Sequence, residues 1–110
     1  MPRTTKKIPQ AITVFVEVRL SGHDDEQLRH FEQAIGRFPE VAECYLMTGD
    51  CDYLLRVVAL GVKEYHRFLD GRLRKLPGVR ATKSSVAMRQ VKRLQKAAPR
   101  DPLTIVRLAK

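Results

Sequence analysis

The sequence predicts an α+β domain in which two βαβ halves share one four-stranded antiparallel sheet, with two helices on one face. Three observations predict it. Residues 12–20 alternate strictly, with Ile12, Val14, Val16, Val18 and Leu20 on one side and Thr13, Phe15, Glu17 and Arg19 on the other, the period of a strand with one core face. Leu28, Phe31, Ala34, Ile35 and Phe38, and later Tyr65, Phe68, Leu69, Leu73 and Leu76, recur at the spacing of a helix with one buried stripe. The junctions after those stripes repeat. Arg37-Phe38-Pro39-Glu40-Val41 and Lys75-Leu76-Pro77-Gly78-Val79 share the order basic, apolar, Pro, any residue, Val.

Each element has local reasons. Residues 1–11 are polar and basic with two prolines and read as an extended arm. After the first strand, Ser21-Gly22 breaks the pattern, and Asp24-Asp25-Glu26 places negative charge where a helix N-terminus favours it. Pro39 ends that helix. A second strand is expected over residues 41–47 and a third from about 52 to 60, joined by a tight hairpin at Gly49-Asp50. A second helix follows Gly61 and runs to Pro77-Gly78, and a long fourth strand is expected from 79 to about 91. This order, βαββαβ, is the ferredoxin-like arrangement. Its uncovered sheet face carries Phe15 among polar residues, and a half-apolar open face favours pairing with a second copy. Residues 12–93 therefore form one domain, and residues 94–110 a basic tail. Leu103, Ile105, Val106 and Leu108 within that tail suit either an added edge strand or an arm onto a neighbour.

At 110 residues the chain is long enough for one core, and its net charge of +9 would ordinarily point to nucleic acid. The distribution argues otherwise. Residues 12–88 balance eleven basic against eleven acidic side chains, so the excess lies in the two ends. A globular nucleic-acid reader carries its basic stripe on the folded element that meets the backbone. Binding through the tails alone would be insensitive to sequence and would collapse with salt. Cys44 and Cys51 have no neighbouring His to complete a zinc pattern, and both read as reduced thiols, Cys44 as a small buried apolar residue. No apolar run approaches the ~20 residues of a membrane span, and residues 1–11 lack a signal-peptide core, so a cytoplasmic location is expected. No cofactor is expected.

The hairpin is the stretch with chemistry. Asp50 and Asp52 sit beside Gly49, which has no Cβ to obstruct a ligand, and two carboxylates there suit a cationic group. Each has a plainer use as well: one can cap the turn, and the other can pair with a basic residue such as Arg56. Tyr45, Tyr53 and Phe15 suit a core or an interface. His23, His30 and His66 lack a carboxylate partner at a convincing spacing and read as surface residues. No nucleophile with a base, His-carboxylate pair or phosphate-binding Gly loop is visible, which argues against an enzyme.

Phe15-Val16-Glu17-Val18, the run from Phe38-Pro39-Glu40-Val41 to Tyr45, Met47-Thr48-Gly49-Asp50-Cys51-Asp52-Tyr53-Leu54-Leu55-Arg56-Val57, Leu76-Pro77-Gly78-Val79 and Val91-Lys92 together resemble the effector-binding domain of leucine-responsive (Lrp/AsnC) transcriptional regulators. This is also called the regulation of amino-acid metabolism (RAM) domain. The most specific part is the Thr-Gly-Asp-x-Asp-Tyr hairpin. The resemblance implies a domain that dimerises through its sheet, assembles into octamers or related rings, and binds an amino acid between dimers, thereby shifting the spacing of DNA-binding heads. Carried over by position, Thr48, Gly49, Asp50, Asp52 and Tyr53 would line the effector pocket, and Thr82 and Ser84 would face the ligand's carboxylate. An α-amino acid needs an anion for its ammonium and donors for its carboxylate, and these residue types provide both. The family's usual helix-turn-helix would not fit in the eleven residues before the first strand. The chain is therefore expected to be a stand-alone sensor, a truncated form or a fragment of a regulator. A second reading is a ligand-free adaptor that co-assembles with full-length regulators.

Overall fold

The computed structural model describes residues 11–94. The basic arm before them and the tail from 95 onward, including the apolar residues 103–108, lie outside the described residues. Within them the chain runs β1 (Ile12–Leu20), α1 (Asp25–Gly36), β2 (Val41–Leu46), β3 (Tyr53–Ala59), α2 (Val62–Phe68) and β4 (Val79–Val86). The antiparallel sheet has the order β2-β3-β1-β4, the ferredoxin-like topology, with β1 and β3 at its centre.

The alternation in β1 decides which way the sheet faces. Val14, Val16, Val18 and Leu20 are buried with Tyr53, Leu55, Val57 and Ala59 of β3, and the helices lay Phe31, Ile35, Tyr65, Phe68 and Leu73 over them. Phe31 of α1 packs on Tyr53 with ring centroids 4.6 Å apart. Asp24 caps α1 by accepting the Gln27 N–H at 2.8 Å, while Asp25 and Glu26 complement the helix dipole.

Three boundaries differ from expectation. α2 stops at Phe68 and continues as a π-helical turn, Leu69–Leu73, instead of running to Pro77. The wider turn carries Arg72 over Phe38 and Phe68, where its guanidinium also pairs with Glu40. β4 ends at Val86, not near 91. Val86 lies opposite Val14 and the Ala87 N–H donates to the Thr13 carbonyl; beyond that, β1, which begins at Ile12, has almost no strand left to pair. Residues 87–94 follow without regular structure. Lastly, β2 and β3 are joined by a loop over residues 47–52 instead of a tight reversal at Gly49-Asp50, closed by the Met47 N–H on the Asp52 carbonyl at 2.9 Å.

Candidate functional site

The loop between β2 and β3 keeps its shape through Asp52. Gly49 supplies the left-handed backbone the loop needs, with φ of 110°. The Asp52 N–H donates to the Val18 carbonyl at 2.9 Å, and the Asp52 carboxylate accepts the Leu20 N–H at 2.7 Å. That carboxylate also stands 3.0 Å from the His23 Nε2, so His23 is a surface residue as expected but does have a carboxylate partner. The Leu20 N–H, followed by burial working the other way and His23, leaves the Asp52 carboxyl below its ordinary range. Arg56 is not its partner: Arg56 pairs with Glu43 across the open face at 3.1 Å, and Tyr45 donates to the same Glu43 at 2.9 Å. Asp52 is therefore occupied within the fold.

Asp50 is not. It makes no ion pair or side-chain hydrogen bond with any described residue, and it walls a cleft of about 240 Å³. Glu17 and Arg19 of β1, Ala81, Thr82 and Lys83 of β4 and Cys51 of the loop line the same cleft. The register brings them together: Glu17 lies opposite Lys83 and Arg19 opposite Ala81, whose small side chain leaves the hollow. Burial, followed by Glu17 and Asp52, pushes the Cys51 thiol up, so it stays protonated; burial pushes the Cys44 thiol up to about 11.

The candidate residues thus divide. Asp50 and Thr82 meet at the cleft, and Thr48 and Gly49 lie exposed in the same loop. Thr82 lies opposite the buried Val18, so its Cβ turns toward the helix side. Ser84, opposite Val16, faces the same way and shares a hydrogen bond with the Tyr65 hydroxyl. Tyr53 is buried, and its hydroxyl donates to Glu32 of α1. Burial first, then Glu32, holds that phenol protonated well above its usual range. Glu17, Arg19 and Lys83 were not among the candidates. Their signal was present as three charges on the open face of β1 and β4, but only the register between those strands makes them neighbours.

A larger hollow, about 380 Å³, lies on the helix side between α1 and residues 76–78. It is walled by Leu20, Phe31, Ala34 and Leu76 with Gln27 and His30, and contains none of the hairpin residues. Among the described residues no three His, Cys, Asp or Glu side chains gather as metal ligands, and no helix is long and apolar enough to cross a membrane.

Residues 13–96 match the family model described as the Lrp/AsnC ligand binding domain. The chain belongs to that family. As an Lrp/AsnC ligand-binding domain it is part of a family of transcriptional regulators, not of enzymes. It is 40% identical over 86 residues to the Bkd operon transcriptional regulator of Pseudomonas aeruginosa, covering 78% of this chain and 56% of that protein. It is likewise 35% identical over 82 residues to the leucine-responsive regulatory protein of Escherichia coli K12, covering 74% of this chain and 50% of that one. The chain thus spans about half the length of the curated relatives it matches. Among solved structures, an AsnC family transcriptional regulator from Agrobacterium tumefaciens superposes with a TM-score of 0.75 at 35% identity, over 90% of this chain and 64% of that one. A transcriptional regulator of Neisseria meningitidis in complex with L-Met has the same fold, with a TM-score of 0.75 at 22% identity over 94% of this chain and 66% of that one.

Proposed function

We propose that this Lrp/AsnC domain senses an amino acid, in the cytoplasm, on behalf of a transcriptional regulator, and that the effector binds at the cleft beside the β2–β3 loop. The observation that carries the reading is Asp50, whose carboxylate has no partner among the described residues, lining a cleft with Arg19 and Lys83. A zwitterion offers one group to each sign, and charge-assisted hydrogen bonds are the strong ones. Thr48, Gly49, Asp50 and Thr82 are the binding residues in this reading. Asp52, Tyr53 and Ser84 hold them in place through Leu20, Glu32 and Tyr65. The L-Met complex of the Neisseria regulator, which shares the fold, supports an amino-acid effector.

The open sheet face supports assembly. Phe15 is 39% and Tyr45 49% exposed there, and a second sheet would cover them. The assembly is a dimer that associates further into an octamer or similar ring, with effector bound where dimers meet. The same exposed face favours the second reading, a ligand-free module that co-assembles with full-length regulators. A thermal-unfolding panel against the twenty amino acids separates them, since a ligand present at a hundredfold excess over its Kd adds about 2.7 kcal/mol. The expected result is a selective upward shift that Asp50→Ala abolishes without changing the assembly's mass. No shift across the panel, with mixed species forming alongside a full-length relative, sinks the sensor reading in favour of the module.

A further inference from the structure

We infer that His23 is a positioning residue for the effector site: its charged imidazole clamps Asp52, and through Asp52 it fixes the loop that carries Thr48, Gly49 and Asp50. This rests on the amino-acid-sensing reading above and deepens it by naming what holds that loop and makes the hold depend on pH. Asp52 is the only side chain of residues 47–52 that makes a hydrogen bond or ion pair with a described residue. Both of its carboxylate oxygens face His23. Oδ1 stands 3.0 Å and Oδ2 3.1 Å from the imidazole Nε2, and Oδ2 also accepts the Leu20 N–H at 2.7 Å. The imidazole reaches the loop from a stretch that is itself fixed on both sides. Ser21 donates its N–H to the Gly78 carbonyl at 2.8 Å, and Asp24 accepts the Gln27 N–H at 2.8 Å at the start of α1.

Histidine is the side chain whose charge ordinarily changes between about pH 5 and 8. A neutral ring can still donate from Nε2, but only the protonated ring adds a charge to the contact, and charge-assisted hydrogen bonds are the strong ones. Asp52 is ionised throughout that range, since the Leu20 N–H holds its carboxyl below the ordinary value of 3.8. The other charged groups nearest the pair in chain and sheet are Arg19 at the end of β1, Asp50 in the loop, Asp24 and Asp25 at the start of α1, and Arg80 of β4, next to the Val79 that lies opposite Leu20. Carboxylates and guanidinium groups ordinarily keep one charge over that range, and burial pushes the Cys51 thiol up, so the charge that changes there is that of His23. The clamp is therefore complete on the acid side and weakens as pH rises and the ring loses its proton. Its size is modest. The His23 side chain is 64% exposed and that of Asp52 24%, so water screens the pair.

The test is amide hydrogen exchange of the full chain at low salt, followed by NMR at about pH 5.5 and about pH 8, with each rate taken relative to that of an unprotected amide. The expected result is that the Leu20, Met47 and Asp52 amides are about two- to fivefold better protected at the lower pH. His23→Gln should make their protection alike at the two pH values. His23→Arg, which stays charged, should keep the higher protection at both. The comparison between pH values uses the unaltered protein and does not depend on whether a variant folds. A thermal-unfolding panel of the twenty amino acids at the same two pH values ties the clamp to the site: an amino acid that stabilises the protein should do so at lower concentration at the lower pH, and His23→Gln should erase that difference. Protection that is equal at both pH values, or that still falls with pH in His23→Gln, overturns the inference while leaving an amino-acid sensor standing. So does an amino-acid response that ignores pH. If no amino acid stabilises the protein at either pH, the sensing reading fails and the inference falls with it.

Discussion

Asp52 illustrates how the neighbours of a side chain can give it a structural task of its own. Its carboxylate takes the Leu20 N–H and stands beside His23, which fastens the loop to the end of β1. Asp52→Ala would leave the Leu20 N–H without its acceptor. A hydrogen bond to a charged group contributes about 1.5–3 kcal/mol, and this partly exposed one belongs at the low end, so urea unfolding should show a loss of about 1.5 kcal/mol. The pH dependence has a definite sign. The folded-state pKa lies below its ordinary value of 3.8, so the contribution is complete above that value and is lost as pH falls through the lower, folded-state value. Asp52→Asn should therefore flatten the acid limb of a plot of stability against pH below about 4. This partnership was invisible in the sequence because His23 and Asp52 are 29 positions apart and meet only through the pairing of β1 with β3.

At the scale of elements, the sequence was most legible where a period could be read. The strict alternation of β1 and the capped stripe of α1 appear as expected, because each pattern is dictated by burial on one side. The π-helical turn was not legible, since Leu69 and Leu73 fit an ordinary helical stripe equally well. Within it Arg72 lies 5.4 Å from the Phe38 ring centroid and 5.5 Å from that of Phe68, with Glu40 alongside. Arg72→Ala should cost about 1 kcal/mol in urea unfolding, given that the guanidinium is close to half exposed. Arg72→Lys should recover only part of it, because an ammonium cannot lie flat on two rings and fork onto a carboxylate. The end of β4 was unreadable for a different reason. A Val- and Ser-rich run stays extended only while a partner strand lies beside it, and where β1 begins is a fact about another part of the chain.

For the molecule as a whole, the candidate site was half legible. Asp50 and Thr82 could be picked out by position, whereas Glu17, Arg19 and Lys83 join them only through tertiary register. The open sheet face belongs to this scale as well. Phe15→Glu places a charge at the middle of that face, beside Ser85 and Arg56, without touching the core on the other side. Light scattering should then report a monomer, with far-UV circular dichroism unchanged; an assembly of unaltered mass would mean that copies meet through another surface.

The cleft draws its lining from the first strand, from the loop at the middle of the domain and from the last strand. No shorter stretch of chain contains it. On the ribosome, a growing polypeptide has β1, α1, β2, β3 and α2 before it has the cleft, because Lys83 emerges near the end and must then reach back to Glu17. Closing so long a loop makes this a late contact. If the effector binds at this cleft, as proposed, it has nothing to bind during synthesis until the sheet is complete, and it selects finished domains over partial ones.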